Sequence, residues 1–114
     1  MKQTFGRALR ELRRAKGITQ RGLAEKVGVD FSYISKIEND RLPPPAADTI
    51  VKICDALEVS PDLLLALSGK IPSGLRDTIG SSLAAMRFIR SAQSMDLTED
   101  EWAELTRQLK RLRD

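Results

Sequence analysis

The sequence predicts an all-α protein in which a domain of five short helices is followed by a helical tail. Apolar residues recur every three or four positions along most of the chain, which is the period of an amphipathic helix. Capping residues, glycines and prolines separate these segments, and no segment alternates apolar and polar residues as a half-buried strand does. We expect a domain over residues 1–68, a linker over 69–74 and a tail over 75–114.

The first helix is expected over residues 4–16, where apolar residues share one face and Gly17 provides the C-terminal stop. Thr19 is the expected N-cap of a second helix. This helix should end at Gly28, because glycine adopts a left-handed conformation at low cost. Asp30 should then cap a third short helix.

Residues 20–39 place the second and third helices around a very short connection. Helices joined this tightly cross steeply, at about 90–120°. Ala24 is small where the third helix would pass over the second, and Ile34 and Ile37 would pack the third helix onto the other two. Its remaining face would then protrude as a ridge whose width fits the major groove of B-DNA.

Two more helices should complete the domain. Three consecutive prolines at 43–45 exclude helix, and a fourth helix follows over about residues 47–57. Ser60 and Pro61 have the order of a helix start, with a cap followed by proline at the first helical position. The fifth helix should stop at 68–69.

The tail is predicted to form two longer amphipathic helices. The first would carry one apolar stripe from Leu75 to Ile89 and end near Ser94. A capping box at Thr98 opens the last helix, whose apolar residues are spaced as in a coiled-coil seam. We expect the tail to dimerise through Leu83, Met86, Ile89, Trp102, Leu105, Leu109 and Leu112.

The last helix carries acidic residues in its first half and basic residues in its second. Part of this pattern suits the helix dipole. Antiparallel pairing with a twofold copy would also place opposite charges together, whereas parallel pairing would place like charges together. The sequence therefore predicts a homodimer with antiparallel final helices. The alternative is a tail that folds back on its own domain.

Composition argues against most hydrolase, protease and oxidoreductase mechanisms. The chain has one cysteine and no histidine, so we expect no zinc site, no histidine base and no cofactor. Cys54 lies on the apolar stripe of the fourth helix and is interpreted as part of the core. No run approaches the roughly 20 apolar residues that cross a bilayer, and the charged start lacks a signal-peptide pattern. We expect a cytoplasmic, nucleoid-associated protein without a membrane partner.

The net charge of +3 is unevenly distributed. Residues 1–45 contain ten Lys and Arg and five acidic residues, which gives a net charge of +5. The remaining residues contain nine Lys and Arg and eleven acidic residues, which gives a net charge of −2. A basic N-terminal half suits an anionic partner, although a solvated charged surface would look similar at this size.

The segment ITQRGLAEKVGVDFSYISKIEND, with a proline-bearing loop and TIVKICDALEVSPDLLL after it, resembles the lambda-repressor-like, Cro/cI-type helix-turn-helix of the XRE family. The resemblance covers about residues 5–67. It implies a sequence-specific DNA-binding transcriptional regulator, most often a repressor, that needs no cofactor. One domain reading three or four bases rarely provides enough specificity for a genome, so we expect a homodimer on a pseudo-palindromic operator in double-stranded DNA.

The resemblance also implies which residues reach base edges. These are Phe31 and Ser32 at the start of the third helix and Lys36 one turn later. Lys36 suits guanine, and Ser32 suits any base. Phe31 replaces a polar residue common in the family, so it would contact a thymine methyl or pack on the domain's own surface. Tyr33 would contact DNA or brace the helix.

Other residues are assigned to phosphates or to structure. Gln20 would bind a phosphate at the start of the second helix, as in family repressors. Arg13 and Glu38 match a buried family ion pair that ties the first helix to the third. The remaining expected contacts to the DNA backbone are Arg21, Ser35, Asn39 and Arg41.

The strongest alternative is a regulator, such as an antitoxin, whose tail engages another protein. Such proteins usually bind their own operator too, so the two functions overlap. A tail that awaits a partner should be partly disordered alone, whereas a self-dimerising tail is helical in the pure protein. An enzyme is least expected, because no spacing concentrates acidic residues in a cleft.

Overall fold

The computed structural model describes residues 3–114, which form helices and contain no strand. Contacts divide the chain into a first unit that ends at Leu75 and a second unit over Arg76–Asp114. The first unit contains α1 (Phe5–Ala15), α2 (Gln20–Val27), α3 (Phe31–Glu38), α4 (Ala47–Leu57), α5 (Asp62–Ser68) and the start of α6 (Ser73–Gly80). The second contains the rest of α6, then α7 (Leu83–Met95), α8 (Glu99–Lys110) and a 3-10 turn (Arg111–Arg113). The predicted all-α fold is confirmed.

Capping contacts fix the ends of α1 and α2. Thr4 and Thr19 each accept, at Oγ1, the backbone N–H three residues further on, at 3.1 and 2.9 Å. Gly28 ends α2 with φ of 84°, a left-handed conformation in which a side chain would be strained. Asp30 lies at the N-cap of α3, but its side chain makes no capping hydrogen bond. The predicted position of the cap is therefore confirmed, but the side-chain bond expected of it is absent.

The core of the first unit is one cluster of mostly aliphatic residues. It consists of Phe5, Ala8, Leu9, Leu23, Ala24, Val27, Ile34, Ile37, Ile50, Ile53, Cys54, Leu57 and Leu64. Burying a large aliphatic side chain contributes about 1.5–3 kcal/mol, so α1 to α5 stabilise one another although each is short. No group of three or more His, Cys, Asp or Glu within residues 3–114 could hold a metal ion.

Cys54 is buried, as predicted. Burial, and then the charge of Asp55, raises the pKa of its thiol to about 11. The thiol is therefore protonated at neutral pH and unreactive as a nucleophile.

The segment predicted as a linker, residues 69–74, is fastened to the first unit. Lys70 donates from Nζ to two carbonyl oxygens of the loop at 43–45, at 2.9 and 3.0 Å. Ser73 donates its backbone N–H and its hydroxyl to the carboxylate of Asp48, both at 2.9 Å. The helix α6 already begins at Ser73, within this segment.

The long helix expected from Leu75 to Ser94 is two helices. The first, α6, ends at Gly80, and Ser82 Oγ accepts the N–H of Ala85 at 3.1 Å as the N-cap of α7. Glycine weakens a helix, and serine competes with the backbone for hydrogen bonds. The prediction was wrong because the apolar stripe keeps its period across this break.

The capping box of α8 is present. Thr98 Oγ1 accepts the N–H of Glu101 at 3.2 Å, and Glu101 Oε1 accepts the N–H of Thr98 at 3.0 Å. This local signal was sufficient to predict where the helix begins. Within residues 3–114, no helix is long and apolar enough to cross a membrane.

Candidate nucleic-acid interface

The helix-turn-helix consists of α2 and α3, joined by residues 28–30. Ile34 and Ile37 are fully buried and pack α3 against α1 and α2. Ser32 and Lys36 lie on the opposite side of α3 and are exposed. The packing therefore leaves one face of α3 in solvent, and that face carries two of the residues predicted to reach base edges.

A buried carboxylate connects α3 to α1. Glu38, at the end of α3, is only 1% exposed. Arg13 donates to both of its oxygens, from Nε to Oε2 at 2.6 Å and from Nη2 to Oε1 at 2.9 Å. The remaining nitrogen of Arg13, Nη1, donates to the carbonyl of Ile18 at 2.9 Å. Two parallel hydrogen bonds thus join the charges, the geometry that a buried ion pair requires.

These contacts set the pKa of Glu38. Burial raises the pKa of its carboxyl group, but hydrogen bonds from Arg13 and Gln20, with the positive charges of Arg13 and Arg10, lower it by more. The pKa of Glu38 therefore lies below its ordinary value. The hydrogen bond to Glu38 also raises the pKa of Arg13, so both partners are charged at neutral pH.

Gln20, a predicted phosphate ligand, is oriented by the same carboxylate. Its Nε2 donates to Oε1 of Glu38 at 2.9 Å. An amide nitrogen has two hydrogens, so one remains for another acceptor. Glu38 thus contacts side chains from α1 and α2 and fixes the direction of the Gln20 amide. The phosphate contact itself stays a prediction.

Asn39, a second predicted contact to the DNA backbone, braces the end of α3. Its Nδ2 donates to the carbonyl of Ser35 at 2.9 Å, and its Oδ1 accepts from Nη2 of Arg10 at 2.6 Å. Ser35 is half-buried, with its hydroxyl 3.5 Å from the same Nδ2. Both side chains therefore have internal partners, and their DNA contacts stay predictions.

The chain that leaves α3 is fastened to the start of α1. Asp40 has a left-handed backbone, with φ of 58°. Its carboxylate accepts the Thr4 hydroxyl at 2.8 Å and the Gly6 N–H at 3.2 Å. A Cβ on Gly6 would lie 2.6 Å from Oδ1 of Asp40 and 2.7 Å from the carbonyl oxygen of Glu38. Sequence reasoning missed this contact, for which a glycine inside a helical pattern was the available signal.

Tyr33 and Arg41 differ in exposure. Tyr33 is half-buried against the core, which favours the bracing role among its two alternatives. Arg41 is exposed just beyond α3, and its backbone N–H donates to the carbonyl of Lys36 at 2.8 Å. Its contact with the DNA backbone stays a prediction.

Phe31 and Arg21 touch across the turn between α2 and α3. Cζ of Arg21 lies 4.5 Å from the centroid of the Phe31 ring, which is within cation–π range. Phe31 as a residue is 39% exposed. The sequence suggested a thymine methyl or the domain's own surface as the neighbour of Phe31, and neither alternative singled out Arg21.

Both residues line an open cleft of about 670 Å³. Its other lining residues are Arg10, Arg13, Arg14, Thr19 and Gln20. Glu38 pairs with Arg10 and Arg13, whereas Arg14 and Arg21 have no carboxylate partner within residues 3–114. The cleft is therefore positively charged. Sequence reasoning did not assign Arg10 or Arg14 to the site, although their spacing of four places them on one face of α1.

The second unit presents a separate apolar surface. Leu83, Leu109 and Leu112 are 67, 65 and 77% exposed. The other predicted dimerisation residues are exposed or half-buried: Met86, Ile89, Trp102 and Leu105. The stripe expected to face inward is thus not buried within this chain.

Two apolar grooves lie between α7 and α8, with volumes of about 320 and 300 Å³. Phe88 and Leu105 line both grooves, and Met95 and Leu97 line the second. Phe88 is 53% exposed. Sequence reasoning missed it because it lies outside the regular stripe of the first tail helix.

Residues 9–64 match the family model described as helix-turn-helix. The HTH-type transcriptional regulator RghRB of Bacillus subtilis (strain 168) is 43% identical over 67 residues, which are 59% of this chain and 48% of RghRB. The HTH-type transcriptional regulator SinR of Bacillus licheniformis is 37% identical over 94 residues, 74% of this chain and 85% of that protein. The chain thus spans about half the length of RghRB and most of SinR.

Solved structures give the same likeness. The DNA complex of SinR, a master regulator of biofilm formation, matches with a TM-score of 0.52 and 35% identity over 54% of this chain and 98% of that one. The P22 c2 repressor in complex with a synthetic operator matches with a TM-score of 0.52 and 32% identity. This match covers 58% of this chain and 98% of that one. A complex of SinR with SinI matches with a TM-score of 0.53 and 25% identity. This match covers 94% of this chain and 95% of that one.

A small helical core that displays one face of α3 beside a positively charged cleft defines a helix-turn-helix protein. The chain belongs to the XRE-type helix-turn-helix family of transcriptional regulators. Members of this family are DNA-binding regulators rather than enzymes, which confirms both the predicted family and the expected absence of an enzymatic role.

Proposed function

We propose that the protein is a sequence-specific DNA-binding repressor that binds a pseudo-palindromic operator as a homodimer. The observation that carries this proposal is the exposed face of α3, supported from behind by Glu38 and the apolar core. A helix displayed in this way fits the major groove, where each base pair has its own pattern of donors and acceptors. The DNA complexes of SinR and of the P22 c2 repressor support the same use of this fold.

Ser32 and Lys36 are the proposed base-reading residues. The side chains of both are exposed on this face. The Lys36 ammonium matches the O6 and N7 acceptors of guanine, and the Ser32 hydroxyl matches a donor or an acceptor on any base. Specificity would therefore depend mainly on Lys36.

The proposed phosphate ligands surround these two residues. Gln20 retains one amide hydrogen after its internal bond, and Asn39 is exposed at the end of α3. Arg21 and Arg41 are exposed cations next to α3. Contacts of this kind position the domain on the duplex but carry no sequence information.

The tail is the proposed dimer interface. Leu109 and Leu112 are 65 and 77% exposed. Monomeric proteins rarely expose contiguous apolar patches larger than a few hundred Å², so exposed leucines of this kind suit an interface. The charge order of α8 favours antiparallel pairing, in which acidic residues 99–104 face basic residues 107–113 of a copy. Such a dimer would hold two copies of α3 about 34–36 Å apart, one turn of DNA.

A second candidate function is binding of another protein through the tail. The SinR complex with SinI matches 94% of this chain, so the match includes the tail. The two apolar grooves beside Phe88 and Leu105 would also suit an amphipathic helix of a partner. A pure protein that sediments as a monomer would favour this function over self-association.

Selection of bound fragments from a random DNA pool tests the main proposal with the full chain. We expect two inverted half-sites whose centres are about 10–10.5 base pairs apart, or a multiple of this spacing. Recovery of a single half-site would contradict dimeric binding. Recovery of no consensus at all would contradict sequence-specific recognition.

A further inference from the structure

We propose that Phe31 is a positioning residue whose ring holds the Arg21 guanidinium in the basic cleft, where Arg21 binds a backbone phosphate of the operator. The inference rests on the proposed DNA binding. It replaces the expected contact of Phe31 with a thymine methyl by a sequence-independent role. Arg21 would be the ligand, and Phe31 would act through it.

The stack connects the two helices of the motif. Arg21 is the second residue of α2, and Phe31 is the first residue of α3. With 4.5 Å between Cζ and the ring centroid, one face of the ring is covered by the guanidinium. An exposed arginine usually samples many rotamers, and a planar guanidinium stacked on an aromatic face loses much of this freedom before it binds. The side chain is thus preorganised for a ligand.

The surroundings identify the chemical class of that ligand. Arg21 lines the cleft with Arg14 and Gln20. Neither Arg14 nor Arg21 has a carboxylate partner in the described part of the chain, whereas Arg10 and Arg13 are paired with Glu38. Two uncompensated guanidinium groups beside an amide N–H suit an oxyanion such as a phosphodiester, which accepts hydrogen bonds from a guanidinium fork. No acidic residue lines the cleft.

The same geometry argues against a thymine-methyl contact as the main role of Phe31. A methyl group needs only an apolar surface, which leucine would provide equally well. The aromatic face is used instead to hold a cation. Substitution of Phe31 by leucine or by tyrosine therefore separates the thymine-methyl role from the cation-holding role. Leucine keeps an apolar contact surface, whereas tyrosine keeps the aromatic face.

The experiment measures the affinity of the full chain for its selected operator and for operators substituted at each base pair. Phe31→Leu should weaken binding to all of them by a similar factor of about two to five, the loss expected for an exposed cation–π contact. Phe31→Tyr should bind like the parent. Arg21→Ala should weaken binding at least as much and flatten the slope of log affinity against log salt by about 0.9.

Two further variants complete the design. The double variant Arg21→Ala/Phe31→Leu should bind no more weakly than Arg21→Ala, because the ring has no further role once the cation is absent. Lys26→Ala removes the same charge from an exposed position of α2 outside the cleft, so it should affect affinity less than Arg21→Ala. Thermal melts should show that every variant is still folded at the temperature of the binding measurement, which separates positioning from folding.

The inference is overturned if Phe31→Leu changes preference at one base pair, or if its effect adds fully to that of Arg21→Ala. In either case a parent that still selects an operator leaves the proposed function intact. A parent without any DNA preference would remove both proposals together.

Discussion

In the first unit most of the large aliphatic residues of α1 to α5 are buried or half-buried, with Leu63 as an exception, whereas in the second unit those of α7 and α8 remain largely exposed. Both units contain well-formed amphipathic helices with capping contacts at their starts. The difference is that the first unit has enough helices to enclose an apolar core, and the second does not. Amphipathic patterning thus predicts that a face will be covered, but not whether the same chain covers it.

The two units also contain contrasting ion pairs. Arg13 and Glu38 are buried and joined by two hydrogen bonds, whereas Arg107 and Glu104 lie one turn apart on the exposed surface of α8. A buried pair excludes water and fixes the position of a helix, while an exposed pair is screened by solvent. This contrast predicts unequal consequences for two similar substitutions.

Glu38→Ala should have the largest effect on stability. It leaves the guanidinium of Arg13 buried without its partner, and we expect the free energy of unfolding to fall by about 3–5 kcal/mol. Glu104→Ala in α8 is the matched control and should be indistinguishable from the parent in urea denaturation. Equal midpoints for both variants would show that burial does not distinguish the pairs.

Gly6→Ala should also destabilise the first unit, because its Cβ would clash with the backbone oxygens of Ile37 and Glu38 at the end of α3. We expect the free energy of unfolding to fall by an amount near the upper end of about 1–3 kcal/mol, because backbone atoms cannot move aside as a flexible side chain can. Gly80→Ala, with no atom near the added Cβ, should instead leave stability unchanged or raise it. A neutral Gly6→Ala would indicate that α1 and the end of α3 can separate at little cost.

Leu105→Glu/Leu109→Glu should abolish self-association while preserving the first unit. Burying carboxylates in an apolar interface is strongly unfavourable, and we expect the dimer dissociation constant to rise by at least about 100-fold, or about 2.7 kcal/mol. Sedimentation of the full chain measures this directly. The proposed interface is contradicted by a parent that is already monomeric or by a variant that stays dimeric.

Lys36→Ala should weaken binding to the preferred operator by about 1–3 kcal/mol and relax the preference at one base pair. Gln20→Ala should weaken binding to all sequences more evenly, because phosphates carry no sequence information. Both effects can be measured by titration against a set of substituted operators. If Lys36→Ala were as uniform as Gln20→Ala, the assignment of base reader and phosphate ligand would be wrong.

The smallest expected effect is a dependence on pH that is confined to the first unit. The lowered pKa of Glu38 means that its carboxylate stabilises the fold above its unfolded pKa of about 4.3. This contribution is lost as the pH falls through the folded pKa. The stability difference between the parent and Glu38→Gln should therefore be largest near neutral pH and shrink in acid, where the protonated glutamic acid resembles glutamine. If the stability difference between the parent and Glu38→Gln stayed constant from neutral to acid pH, Glu38 would not titrate as described.

Much of the fold could be predicted because local signals mark its helices. Thr19, Gly28 and Thr98 lie where the sequence places a cap or a stop, since such residues act through neighbouring backbone groups. The failures involve competition between signals. At Ser82 a capping hydroxyl interrupts a continuous apolar stripe, and at Asp30 the helix begins without its expected side-chain bond.

The candidate site was predicted less completely. The residues on α3 follow from the family motif, but the stack of Phe31 on Arg21 and the contact of Asp40 with Gly6 join residues from different segments of the chain. Side-chain pairs of this kind depend on how helices cross, which no local pattern encodes. The same limitation applies to Lys70, whose partners are carbonyl groups in a distant loop.

The sequence by itself determined the all-α class, the helix-turn-helix, the apolar core and the uneven charge of this protein, because these depend on residue type and spacing alone. Only the tertiary structure decided how Glu38 connects three helices, how Gln20 and Arg21 are oriented, and which apolar faces stay open. The physical reason is that hydrogen bonds, cation–π contacts and burial depend on distances between segments far apart in the chain. Those distances are fixed only when the helices pack together.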